Sequence, residues 1–220
     1  MKRPSVWTTL GAALLMAGSA MSQPATPVRD ILLKNCETGF GPLGIDACTQ
    51  AIAANVEPAD AHFYRAGRFY LLGQFDKAES DYSAAIALGT RRLPIAYNNR
   101  ANVLTEKGDY AAAFADYARA MKIAPNSAVF RANRATAYLN TGDTDRAIQD
   151  LDAAIAIDPA YGLAYARRGM AYLKRGDYDR AVADLNEGLE LDPQMEWAKK
   201  ALDEATAARE AAAIRQPIST

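Results

Sequence analysis

A single histidine, His62, stands in the whole 220-residue sequence. One imidazole cannot build the paired-histidine motifs of zinc hydrolases, and Cys36 and Cys48, the two cysteines, lie far from it in sequence. No glycine-rich stretch followed by lysine offers a cradle for phosphate. An excess of charge is missing as well: 25 lysines and arginines face 26 aspartates and glutamates, a net charge of −1. That balance provides no basic face for nucleic acid. The uncharged stretch Val6 to Ala20 is about 15 residues, shorter than the ~20 that a spanning helix requires. These absences leave no catalytic residue, no metal site and no cofactor to assign, and no membrane span after the N-terminal segment. What is abundant is alanine and helix-forming sequence, with 50% hydrophobic and 23% charged residues, as in a soluble folded chain.

Residues 1–22 read as a signal peptide. Lys2 and Arg3 form the positive start, Val6 to Ala20 the apolar region, and Gly18-Ser19-Ala20 or Ala20-Met21-Ser22 the small-residue cleavage site. The competing reading is an uncleaved anchor. Cleavage removes both of those cations and leaves 23 basic and 26 acidic residues, a net of −3. The chain is thus expected to be exported, either to a periplasm or as a secreted protein. An even cysteine pair in an oxidising compartment reads as a disulfide, Cys36 to Cys48, with two buried free thiols as the alternative.

Beyond residue 58 the chain repeats. Gly73, Gly108, Gly142 and Gly176 recur at spacings of 35, 34 and 34 residues. Each has an arginine eight residues before it (Arg65, Arg100, Arg134, Arg168) and an alanine five after it (Ala78, Ala113, Ala147, Ala181). Pro125, Pro159 and Pro193 close three of the units. Apolar spacing within each unit is helical on both sides of the glycine: Ala135, Tyr138 and Leu139 share one face, Ala147, Leu151 and Ala154 another. Glycine ends the first helix and the Asp-Pro pair the second, so each unit is an antiparallel helical hairpin. A fixed period of this length predicts stacked hairpins.

The pattern resembles the tetratricopeptide repeat (TPR). Small residues fall where that family needs close approach (Ala101, Ala113 and Ala120 in the second unit) and large ones where it fills gaps (Tyr97, Leu104, Tyr117). The resemblance implies an all-α, right-handed superhelical α-solenoid with units at 59–92, 94–127, 128–161 and 162–195. Thr90 replaces the first unit's proline, and Leu93 is inserted after it. Residues 23–58 read as a degenerate half-repeat stapled by the cysteines, 196–214 as an alanine-rich capping helix, and 215–220 as a loose tail.

Four aspartates, Asp81, Asp116, Asp150 and Asp184, follow the four repeated arginines by 16 residues. A basic ladder for an anionic ligand is one reading. Structural ion pairs are the preferred one, because the acid recurs wherever the base does. The resemblance also places a concave face on the first helix of each unit. There it puts Phe63 and Tyr70 at an apolar end, Asn98, Asn99, Asn102 and Asn133 in the middle, and Arg167 as a partner for a carboxylate. Asparagine is a poor helix former, and its amide pairs well with a peptide backbone. Three of five positions match the family's carboxylate clamp for chaperone tails, but Asn98 and Leu163 stand where its two lysines belong, so that assignment is rejected. His62 reads as a packing residue. The expected function is a non-catalytic scaffold binding a peptide or protein segment in the groove. The alternative is a structural assembly factor of a cell-envelope secretion, pilus or polysaccharide machine.

Overall fold

A computed structural model describes residues 26–215. The expected signal peptide, and the expected tail apart from Arg215, lie outside the described residues. Among them are eleven helices and no strand. They are α1 (Thr26–Thr38), α2 (Gly41–Ala53), α3 (Pro58–Leu71), α4 (Phe75–Ala87), α5 (Leu93–Glu106) and α6 (Tyr110–Ile123), followed by α7 (Ala128–Thr141), α8 (Thr144–Ile157), α9 (Gly162–Arg175), α10 (Tyr178–Leu191) and α11 (Glu196–Arg215).

Each helix packs on its chain neighbours, and α1, α3, α5, α7, α9 and α11 also touch in sequence order. No two even-numbered helices meet. The odd helices therefore form the inner, crowded layer and the even helices the outer one: an all-α solenoid whose concave face is built from odd helices. The last helix, α11, lies against α9 and α10 and buries Ala198, Ala201 and Ala205, which caps the stack. It runs through Arg215, one residue into the segment expected to be a loose tail.

Local chemistry explains the repeat marks. Gly142 and Gly176 end α7 and α9 at φ 81° and 78°, where a side chain would be strained. The aspartate after the glycine then caps the next helix. Asp109, Asp143 and Asp177 each accept a bond from the backbone N–H three residues on. Thr90, in place of the first unit's proline, donates to the Asp60 carboxylate at 2.5 Å, and Arg91 Nε adds a 3.1 Å contact to the same group. This ties the irregular α4–α5 turn back to the start of α3. The inserted Leu93 opens α5 just before Pro94, which the first turn of a helix tolerates.

The N-terminal segment corrects the sequence reading. Residues 26–53 are a full hairpin, not a half-repeat. Only residues 39 and 40 lie outside the two helices, and Gly41-Pro42 begin α2. A disulfide joins Cys36 on α1 to Cys48 on α2, with both residues fully buried.

Candidate functional site

The four repeated arginines lie between the two helices of their own hairpins. Arg65, Arg100, Arg134 and Arg168 each place Nε 2.6–2.7 Å from one carboxylate oxygen of Asp81, Asp116, Asp150 and Asp184. Nη2 of each reaches the other oxygen at 2.7–2.9 Å. The aspartates are buried and the forks are bidentate, the strong form of such a pair. These arginines are occupied in holding hairpins together. Three of them also bind the preceding hairpin through Nη1: Arg65 to Thr49, Arg100 to Ser83 and Arg168 to Asp152. His62 does more than fill space, since its Nδ1 lies 2.7 Å from Asp81 Oδ1, on the carboxylate that Arg65 holds.

The concave face is a chain of three connected cavities. The first, of about 700 Å³, is walled by α3, Tyr82 of α4 and the start of the α5 amide row, and is overhung by the α1–α2 turn. Tyr70 and Asn102 form its border with a second, polar space of about 100 Å³, which also meets Glu106, Tyr117, Asn133 and Arg167. Thr136 and Arg167 lead on to a third of about 250 Å³ among Leu139, Leu163, Met170, Lys174 and Trp197.

Of the residues expected in a groove, Tyr70, Asn99, Asn102, Asn133 and Arg167 line these spaces. Phe63 and Asn98 do not. Phe63 packs edge-on against Tyr64 and Tyr82, with the Arg92 guanidinium 5.8 Å from its ring centre. Asn98 is only 3% exposed and serves as an internal link. Asn98 Nδ2 donates to Asn99 Oδ1, and its own Oδ1 accepts from Asn133 Nδ2 at 3.1 Å. Asn99 Nδ2 donates to Tyr82 Oη, and Asn133 Oδ1 accepts from Arg167 Nη1 at 3.3 Å. A continuous polar relay thus runs from Tyr82 to Arg167 and crosses four hairpins. It sets the lateral register of α5, α7 and α9, and it directs the amides along the groove.

Arg167 differs from the ladder arginines. Its Nη1 also donates to Ala132 O at 3.0 Å, but no carboxylate among the described residues meets it. Burial pushes its guanidinium below the ordinary arginine value. Nε and Nη2 have no bonding partner in the described structure, and the residue borders two cavities. A guanidinium with two unbonded donors beside a cavity can pair with an anion, and its flat fork suits a carboxylate.

The sequence reading missed three parts of this surface. Tyr117 reads in sequence as a gap-filling residue, yet its Oη donates to Asn102 Oδ1 at 2.6 Å and holds that amide, and Tyr82 Oη accepts from Asn99 Nδ2. Trp197, placed on the capping helix, forms the far wall of the third cavity. The α1–α2 turn reaches the groove only because Arg68 of α3 donates from Nε and Nη2 to Gly39 O at 2.8 and 2.6 Å. A contact between residues 29 apart leaves no local mark in sequence.

No curated protein matches the chain in sequence. The family described as tetratricopeptide repeat matches residues 92–157 and again residues 162–195. Among solved structures, the first TPR of Spaghetti (RPAP3) bound to the HSP90 peptide SRMEEVD is 28% identical, with 53% of this chain and 93% of that one covered and a TM-score of 0.51. The Sgt2 TPR domain from Aspergillus fumigatus is 26% identical over 58% of this chain and 86% of that one, with a TM-score of 0.54. YrrB, described as a TPR protein with an unusual peptide-binding site, covers more: 86% of this chain and 93% of its own, at a TM-score of 0.63 and 16% identity, a likeness of fold. The chain is an all-helical solenoid that carries tetratricopeptide repeats at 92–157 and 162–195.

Proposed function

We propose that this protein is a non-catalytic interaction scaffold that takes a peptide or protein segment along its concave face and seats a ligand carboxylate on Arg167. The observation that carries the proposal is Arg167 itself. The four ladder arginines are each held by an aspartate, and Arg68, which meets only neutral acceptors, has Nε, Nη1 and Nη2 all bonded. Arg167 is held in place only by neutral acceptors, Ala132 O and Asn133 Oδ1. Arg167 is half-buried and only partly hydrated, so a ligand carboxylate pairs with it at a smaller desolvation cost than with a fully exposed arginine. The amides beside it, Asn99, Asn102 and Asn133, have each one side-chain bond or two in the protein and retain capacity for a passing backbone. The structural neighbours at 28% and 26% identity described above support the reading, since one of them holds an acidic peptide. The chemistry differs from a doubly anionic chaperone tail: Asn98 is an internal link and Leu163 is apolar, so one strong anion seat is present where such tails use several cations.

We also place the protein outside the cytoplasm. The Lys2-Arg3 start, the apolar stretch to Ala20 and the bonded cysteine pair belong together in an exported chain.

Photo-crosslinking from two positions tests the scaffold reading. A crosslinking residue at Glu106, exposed in the groove, is expected to trap the partner, whereas one at Arg119 on α6 of the outer layer is not. Equal trapping from both positions, or trapping from Arg119 alone, overturns the proposal.

A further inference from the structure

Gly67 occupies a place in α3 where nothing in the fold demands a glycine. Its φ is not in the left-handed region. A Cβ built there would meet only Tyr82 Oη, at an ordinary 3.5 Å. The contrast is with Gly169, where a Cβ would stand 2.7 Å from Leu185 Cγ, and with Gly188, where it would stand 2.9 Å from Ala166 Cβ. Those two glycines let α9 and α10 approach. Gly67 does no such work, although glycine weakens a helix interior. At the equivalent places of the next three hairpins, Asn102, Thr136 and Met170 send side chains to the groove. The first hairpin alone has none, and the space left open is the largest cavity described in the structure.

The walls of that cavity define its guest. Tyr64, Tyr70, Tyr82 and Leu71 surround the floor at Gly67, and Phe40 stands at the rim on the α1–α2 turn. Phe40 is 91% exposed and Leu71 83%. Two large apolar side chains so open on either side of one slot form an unpartnered apolar rim. The slot's own charged groups are hydrogen-bonded within the fold. Glu37 accepts from Tyr64 Oη and Arg92, and Arg68 is spent on the carbonyls of Gly39, Glu37 and Tyr64. Past Tyr70 and Asn102 the polar cavity holds Arg167, whose Nε and Nη2 are unbonded, together with the exposed Glu106.

We propose that the space above Gly67 is a side-chain pocket for an aromatic or large aliphatic residue of the ligand, and that the same ligand carries its carboxylate to Arg167. This rests on the peptide-binding reading of the groove and adds to it a composition: a bulky apolar side chain and an acid on one extended segment. The α1–α2 turn is the roof of the pocket. Arg68 holds that roof down, and Gly44 admits its guanidinium, since a Cβ on Gly44 would stand 2.2 Å from Arg68 Nε.

An array of synthetic ten-residue peptides tests this. One Trp and one Asp are moved independently through a Ser-Gly background, and binding to the full chain is read by fluorescence anisotropy. The wild-type protein is expected to prefer Trp over Ser at one fixed separation from Asp by about tenfold. Gly67→Leu fills the pocket and is expected to abolish the Trp preference while Asp is still favoured over Asn. Thermal melting at or above the wild-type temperature verifies the variant's fold. Should it fail to fold, Phe40→Ser, at an exposed site, is expected to reduce the same preference. A Trp preference that survives the pocket-filling substitution, or survives Phe40→Ser where that decides, overturns the pocket but not the groove. Asp-dependent binding with no Trp preference in the wild-type protein does the same. Binding of no peptide at all overturns both.

Discussion

At the scale of single residues, like amino acids have unlike causes. Gly67→Ala and Gly169→Ala are the same substitution with opposite expected signs. The first adds a methyl group into open space and restores helix propensity, raising stability by about 0.5–1 kcal/mol. The second drives a methyl into Leu185 and lowers stability by about 1–3 kcal/mol. Chemical denaturation of both variants checks the pair. The tyrosines Tyr82 and Tyr117 make a second case. Burial pushes both phenols up to about 12. The folded chain holds these protons more tightly than the unfolded chain, whose phenols titrate near 10. Stability is therefore unaffected by them below pH ~10 and falls as pH rises toward 12, by up to about 1.4 kcal/mol per pH unit for each phenol. Urea titrations between pH 9 and 11.5 are expected to show that slope, to which Tyr64, Tyr70 and Tyr161 add because burial raises them too, and Tyr82→Phe to reduce it without abolishing it. This is also the scale at which sequence was least informative. Arg65 and Arg167 are both groove-helix arginines, and only the presence or absence of a buried aspartate 16 residues on separates a strut from an anion seat. Asn98 and Asn133 looked equivalent to Asn102, but a bond between residues 35 apart made Asn98 an interior link.

Among elements, the hairpins were legible because their chemistry is local. A left-handed glycine, a capping aspartate and an apolar stripe lie within one period, so the four units could be read directly. The N-terminal hairpin was misjudged for the complementary reason. Its fold depends on Arg68 binding Gly39 and on the Cys36–Cys48 bridge, neither of which has a periodic mark. Replacing both cysteines by serine is expected to cost about 2–3 kcal/mol in the chain-entropy account and to raise hydrogen exchange across residues 26–53 before other segments. The seams between hairpins also differ. Arg65, Arg100 and Arg168 each reach an oxygen on the preceding hairpin, but Ala118 stands 16 residues before Arg134, so that link is missing between α6 and α7. Ala118→Ser supplies an acceptor and is expected to raise stability by about 0.5–1 kcal/mol; Ala118→Ser combined with Arg134→Lys, which loses the fork, should not show the gain. Thermal unfolding of the single and double variants measures the difference.

For the molecule as a whole, each hairpin touches only its neighbours, so the solenoid spaces chemistry along one face. An apolar slot over Gly67, an amide-lined middle with one uncompensated arginine and a second apolar space at Trp197 follow one another from the N-terminal hairpin to the cap. In the proposed reading that order suits an extended polypeptide. Nuclear magnetic resonance tests it most directly, because side-chain amides report individually. On titration with the tightest-binding Trp- and Asp-containing peptide, the side-chain resonances of Asn99, Asn102, Asn133 and Arg167 are expected to shift together in a saturable manner, and the shift at Arg167 to vanish when Asp is replaced by Asn. Shifts confined to the even-numbered outer helices, with the asparagine amides unmoved, would contradict a ligand in the groove.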